Sequence, residues 1–346
     1  MDEDAAPSVF TLVNSAGVEI EITDHGGTVR ALRTPDREGV LDDIVLGFDS
    51  VDEYRRQAHP YFGGLIGRFG NRIARGRFRL DGRDRVLACN DGANHLHGGV
   101  RGFDKVPWEA SPRQTPNASS LELRYTSPDG EEGYPGTLSC SVTYILTDDS
   151  DLRIEYFATT DRATIVNLTH HSYFNLAGST GADVLGQVLF VDADTFLPVD
   201  ESLIPTGERR PVMGTPFDFR EPRTIGARIR VADPQLSRGR GYDHNFCLNR
   251  RNPQGTPALA ARVVEPHSGR VLEVLTTEPG LQVYTGGGLD GTIVGKAGRR
   301  YSQFSGLCLE AQHFPDSPNQ PAFPPVRLEA GETYRSVTIY RFRTAP

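Results

Sequence analysis

The sequence predicts an all-β protein, a large antiparallel β-sandwich, and three observations carry that expectation. Apolar and polar residues alternate with period two over much of the chain, as in strands with one face on a core and the other in water. Helical periodicity is nearly absent. The 37 Gly and 24 Pro punctuate the 346 residues into short pieces suited to tight turns.

Taken in order, the first element is a short helix over Ser50 to Arg56, with Ser50 as N-cap and Glu53 completing a capping box. Phe78-Arg79-Leu80-Asp81-Gly82 reads as a strand ending in a hairpin turn. Strands follow at Leu121, Leu123 and Tyr125, then at Leu138, Cys140, Val142, Tyr144 and Leu146, then at Leu152, Ile154 and Tyr156. Asp148-Asp149-Ser150-Asp151 is the turn between the last two. Ala163 to Leu168 is a strand-like run, Val271, Glu273 and Leu275 alternate again, and Val337 to Tyr340 closes the chain. Asn249 to Pro257 reads as a surface loop. With no repeat at fixed period and no low-complexity linker, residues 1–346 read as a single domain, a length that large all-β units can reach and that buries a sizeable core.

Composition is that of an ordinary soluble protein, with 37% apolar and 24% charged residues. A net charge of −8 argues against nucleic acid or an anionic membrane as partner. No run of about eighteen apolar residues predicts a membrane span, and the acidic start Met1 to Pro7 does not read as a secretory signal. Cys89, Cys140, Cys247 and Cys308 are widely spaced, and three lie in apolar or alternating runs. They read as buried thiols of a reducing, cytoplasmic protein and not as a disulfide frame or zinc site.

Four polar clusters interrupt the strand pattern. Gly63 to Ile73 is rich in glycine, which lets backbone approach a ligand, and carries Asn71 and Arg72; it lacks the Gly-Lys-Ser/Thr ending of a phosphate loop. Asn94-His95-Leu96-His97-Gly98-Gly99 places two histidines at i and i+2, on one face if the segment is a strand. A metal pair is conceivable there, but no carboxylate or cysteine stands at useful spacing, so a hydrogen-bonding histidine is the expectation. His170-His171-Ser172-Tyr173-Phe174-Asn175 sets imidazoles, which titrate near neutral pH, beside a tyrosine and an asparagine. In Leu307-Cys308-Leu309-Glu310-Ala311-Gln312-His313, Glu310 enters an apolar run with Gln312 on the same face. Burial there raises a carboxyl pKa and makes a stronger base, the mark of a functional candidate, although a structural ion pair has the same appearance. Tyr242-Asp243-His244-Asn245-Phe246 and Gly280-Leu281-Gln282-Val283-Tyr284 place further polar groups on strands.

Together these segments resemble the aldose 1-epimerase (galactose mutarotase) family, from about Phe10 to Phe342. The resemblance is carried by Gly67 to Ala74, Leu96 to Gly99 with Gly102 to Lys105, Asp129 to Gly136, His171 to Leu176, Tyr242 to His244, and Leu309 to Gln312. It implies a β-sandwich with an open cleft for a free monosaccharide and no metal or other cofactor. It implies His171 as general acid and Glu310 as general base. His97 would stand near the sugar ring oxygen, and Asn71, Arg72, Tyr173, Asp243 and Gln282 would bind substrate. His170 falls where the family often has asparagine and is left out of the catalytic set. Apart from the resemblance, an exposed strand edge could pair, and a monomer or weak dimer is the expectation. Three other readings stand beside this one: a glycoside hydrolase, which needs two carboxylates; a sugar-binding protein without catalysis; and a hexose-phosphate epimerase using Arg68, Arg72 and Arg75 for phosphate.

Overall fold

The alternating runs in the middle of the chain form the frame of the molecule. The computed structural model describes residues 6–56, 60–249 and 255–345. Strands Ala118–Ser127, Leu138–Thr147 and Asp151–Thr160 are antiparallel neighbours, with Leu123 opposite Val142 and Val142 opposite Tyr156. The closing strand, Thr333–Thr344, lies between Asp151–Thr160 and Arg270–Thr276. Edge additions extend this into a sheet of nine strands among the described residues.

A second sheet of six strands lies against it. Its order is Tyr173–Phe174, Leu307–Gln312, Gly280–Tyr284, Asp243–Cys247, Thr195–Phe196 and Arg210–Pro211. One face presents Phe174, Leu309, Val283 and Phe246, which join Leu123, Val142, Ile154 and Tyr340 of the first sheet in one apolar core. Each such buried side chain contributes about 1.5–3 kcal/mol. The Tyr340 hydroxyl ties the layers together by donating to the Leu309 carbonyl at 3.0 Å. Because strand side chains alternate, the opposite face of this second sheet is set by the same register, and it is polar.

Most expected elements form where the pattern puts them. The helix Val51–Arg56 has Glu53 accepting from both the Ser50 amide and its hydroxyl at 2.9 Å. Strands Arg77–Leu80 and Arg83–Val86 are joined by Asp81 and Gly82, both at positive φ (52° and 73°), as a two-residue hairpin requires. Among the described residues the four cysteines are free; three are buried and Cys89 is exposed, so the buried-thiol expectation fails for Cys89. Among the described residues no helix is long and apolar enough to cross a membrane.

Two expectations are corrected and one element was not foreseen. In Arg270–Thr276 the core face is Leu272 and Val274, not the Val271, Glu273, Leu275 row; Val271 is buried too, which blurs the period. The run Ala163 to Leu168 is not one strand. Thr164–Ile165 pairs with Arg327–Leu328, Asn167 bridges Phe69, and Thr169–His170 pairs with Leu65–Ile66, so the segment changes partner every few residues. A second helix, Pro234–Gly239, has no expectation behind it although Asp233 caps it and Pro234 opens it. The chain start up to Ala5 and most of the loop expected at 249–257 lie outside the described residues.

Candidate active site

The polar face of the six-stranded sheet is the floor of the site. Glu310 is opposite Gln282 and Gln282 is opposite Asn245; one step along, Cys308 is opposite Tyr284 and Tyr284 is opposite Asp243. On the other side Tyr173 is opposite Cys308. Continuing that antiparallel register by two residues brings His171 beside Glu310. Gly280 leaves room on this face for the Asn245 amide, since an added Cβ would lie 2.5 Å from its Oδ1. Asn245 Oδ1 and Nδ2, Gln282 Oε1, Glu310 Oε2 and both amide atoms of Gln312 are buried without a hydrogen-bond partner in the protein. Such atoms are costly unless satisfied, so their concentration on one face marks a place able to hydrogen-bond a polar ligand.

His171 and Glu310, on separate segments, meet here. His171 Nε2 lies 3.7 Å from Glu310 Oε1, and both side chains are almost fully buried. The imidazole is stacked on Tyr173 (ring centres 5.1 Å apart, 27° between planes) and meets His97 edge-on at 5.0 Å. Tyr173, expected at the substrate, thus lies flat against His171. Burial pushes the Glu310 carboxyl well above the usual carboxylate range; Asp243 pushes the same way and Arg72 opposes.

The two histidines of the Asn94–Gly99 segment part company. The strand is only His95–Leu96, and His97 stands beyond it at φ 50°. His95 Nδ1 lies 2.7 Å from the Ala88 carbonyl and so carries its proton there, with Nε2 accepting from Tyr134 at 2.6 Å. The expected shared face is therefore not formed. His97 has the opposite tautomer: the Asn71 amide donates to its Nδ1 at 3.1 Å, which leaves the proton on Nε2. Burial, then His171 and Arg72, hold His97 well below the ordinary imidazole pKa, so it is a neutral donor. Gly98 follows because an added Cβ would come within 1.8 Å of the Gly67 carbonyl.

One ligand atom each from His97, His171 and Glu310 fall within 4.8 Å of one another, a donor set that resembles a His₂Glu zinc site. Metal ligation by His97 would need an Nε2 lone pair, and the Asn71 amide commits that nitrogen to carrying the proton. The group fits a hydrogen-bonding site better than a metal centre.

Arg72, Asp243 and Gln282 also converge. Gln282 Nε2 donates to Asp243 Oδ1 at 2.6 Å, Arg72 Nη1 is 3.9 Å from Asp243 Oδ2, and Arg72 Nε donates to Asp91 at 2.8 Å. Asn71 stands at φ 64° with Oδ1 accepting from the Arg72 amide, which fixes the turn. Arg68 does not face the site. Its buried guanidinium donates to Ser127 Oγ and to the carbonyls of Ser127, Pro128, Pro135 and Gly136. That removes Arg68 from any phosphate cluster and makes it the anchor of the loop bearing Asn71 and Arg72. Arg68→Lys, which loses the planar fork, is expected to lower stability by about 2–4 kcal/mol in urea unfolding. A loss under about 0.5 kcal/mol, the range of an ordinary surface change, would contradict this role.

His170 is buried, with Nε2 on Ser172 Oγ at 2.7 Å, and burial lowers its pKa to about 3. Sequence reasoning missed Asn245, Gln312, Tyr284, Cys308 and Tyr61 as site residues. Asn245 had a signal, its i+2 spacing from Asp243. Tyr61, whose ring centre is 4.6 Å from that of His97, had none.

Solved structures place this architecture in the galactose mutarotase-like class of all-β folds. A GalM/aldose epimerase homologue from C. elegans superposes with a TM-score of 0.87 at 29% identity, covering 99% of this chain and all of that one. Galactose 1-epimerase from Lactobacillus acidophilus gives 0.87 at 28% identity, covering 100% of this chain and 97% of that one. Residues 8–341 match the sequence pattern of the aldose 1-epimerase family. Galactose mutarotases from Sus scrofa and Homo sapiens are 50% and 49% identical, over 96% and 95% of this chain and 93% and 92% of theirs. The aldose 1-epimerase of Escherichia coli K12 is 39% identical over 96% of this chain and 94% of its own. The chain belongs to the aldose 1-epimerase family, and its function is the isomerase reaction of that family.

Proposed function

We propose that this chain, acting as a single domain, interconverts the α and β anomers of free hexoses such as D-galactose and D-glucose, with Glu310 as general base and His171 as general acid. The observation that carries the assignment is the buried His171–Glu310 pair beside unpartnered amide atoms on one sheet face. Epimerisation at C1 needs the hemiacetal opened. Glu310 takes the proton of the C1 hydroxyl while imidazolium His171 gives one to the ring oxygen as C1–O5 breaks. The aldehyde turns about C1–C2 and the ring closes on its other face with the roles exchanged. Each event moves one proton in and one out, so the pair always holds a single proton between its members, and no electron is transferred. His97, a neutral Nε2–H donor, serves the ring oxygen, and Asn71, Arg72, Asp243 and Gln282 hold hydroxyls.

The pair suits this chemistry better than glycoside hydrolysis, because the second carboxylate, Asp243, is committed to Gln282 and Arg72. Unpaired cysteines support a cytoplasmic location, hexose metabolism follows from the proposed substrates, and a monomer or weak dimer that binds neither nucleic acid nor membrane is the accompanying proposal. Polarimetry of freshly dissolved α-D-galactose and α-D-glucose tests the activity: faster approach to the same final rotation is expected. Sugar binding with no acceleration would favour a non-catalytic binding protein.

The raised Glu310 carboxyl has a pH consequence. A base acts only when deprotonated, so kcat/KM should fall as pH drops through that raised value, with an acid limb well above the ordinary glutamate range. Asp243→Asn removes a neighbouring negative charge and should shift the limb to lower pH while raising KM. A limb that moves upward would contradict the stated coupling.

A further inference from the structure

We propose that Cys308 is a positioning residue for the proton transfer, its thiol governing which nitrogen of His171 carries a proton. The inference deepens the reading above and rests on His171 being the proton carrier. Cys308 Sγ lies 3.6 Å from His171 Nδ1, on the far side of the ring from the Nε2 that faces Glu310. Cys308 is fully buried, stands opposite Tyr173 in the register, and hydrogen-bonds with the Tyr173 side chain. The ring is therefore held on its face by Tyr173 and at its Nδ1 edge by a sulfur.

A thiol is a weak donor through S–H and a weak acceptor through S. Imidazolium His171 gives its Nε2 proton to the ring oxygen, so the neutral ring must keep the other proton on Nδ1, directed at the sulfur, with Nε2 open to take the proton back as the ring closes. When His171 is charged, Nδ1–H points at the sulfur as well. A carboxylate in this position would hold the ring charged. The sulfur, a weak acceptor, keeps Nδ1–H in place without favouring either charge state strongly, which suits a ring that gains and loses its Nε2 proton in every turnover. Burial, then Glu310 and Asp243, push the thiol well above its ordinary range, so it stays S–H and does not compete for the proton.

The test combines ¹⁵N NMR of the His171 ring with pH–rate profiles of the full-length enzyme and its Cys308→Ala and Cys308→Ser variants. Neutral His171 should carry its proton on Nδ1 in the parent and become a tautomer mixture in Cys308→Ala. That variant should lose about 3–30-fold in kcat with KM within about two-fold, as for loss of a group that orients a reacting one. Its alkaline limb should move down by about half a pH unit or more, because the imidazolium has lost its acceptor. Cys308→Ser, still donor and acceptor, should restore the tautomer and most of the rate. An unchanged ¹⁵N pattern and pH limb in Cys308→Ala would overturn the proposal, as would equal loss in both variants tracking a lowered melting temperature. The NMR arm needs no turnover. Full activity in His171→Asn would instead sink the acid–base reading and leave the tautomer result standing.

Discussion

Glu310→Gln should lower kcat by about 10²–10⁴, the range for loss of a positioned proton-transfer group, with KM little changed. The substitution keeps the shape and the hydrogen-bonding reach of the side chain and removes only its basicity. Glu310 sits in the strand Leu307–Gln312 with 2% of its surface exposed and one carboxylate oxygen unpartnered. A carboxyl in that position is held there against its own desolvation, which is why burial raises its pKa. A neutral amide relieves that penalty, so the melting temperature should stay the same or rise. Loss of rate together with retained or improved stability is the signature of a group kept for chemistry and not for the fold. Turnover within about three-fold of the parent would remove Glu310 as the base, since a proton-transfer group contributes far more.

His171→Asn should be equally severe, about 10²–10⁴ in kcat, because an amide can hydrogen-bond to the ring oxygen but cannot protonate it at neutral pH. The loss should not add to that of Glu310→Gln. The side chains are 3.7 Å apart and in the proposed cycle share one proton, so removing either should disable the pair. The double variant should therefore be about as slow as the slower single one. A double variant whose loss is the product of the two single losses would show independent action and contradict the shared-proton picture. Asparagine also gives up the ring stack on Tyr173, so a modest fall in melting temperature is expected here and not in Glu310→Gln.

Much of the fold was legible because the long strands alternate cleanly. Leu138, Cys140, Val142, Tyr144 and Leu146, then Leu152, Ile154 and Tyr156, are core residues of the first sheet, as their period-two spacing implies. The phase failed in Arg270–Thr276 because Val271 and Leu272 are both buried, so neither face stands out. The segment from Thr164 to Phe174 resisted because each of its two-residue strands pairs with a different part of the chain. In the site, Glu310 was legible as a carboxylate in an apolar run and His171 as an imidazole in a polar cluster, with their acid and base roles implied by the family resemblance. Their pairing was not, because it depends on the register between Tyr173–Phe174 and Leu307–Gln312, far apart in sequence. The divergence of His95 and His97 was hidden for a local reason: one residue at positive φ ends the strand between them and turns the second ring toward Asn71. Asn245 and Gln312 share the faces of Asp243 and Glu310 by i+2 spacing; that those faces join in one floor depends on the cross-strand register, which sequence spacing alone does not supply.

Retention of a C1 oxygen label tests the ring-opening chemistry most directly. With α-D-galactose carrying ¹⁸O at C1, opening at C1–O5 keeps the label on C1 through the aldehyde and into the β anomer. The label should persist over many turnovers while the optical rotation reaches equilibrium. Loss of ¹⁸O to water at the rate of the rotation change would mean that the C1–O1 bond breaks, and would contradict acid–base ring opening by His171 and Glu310.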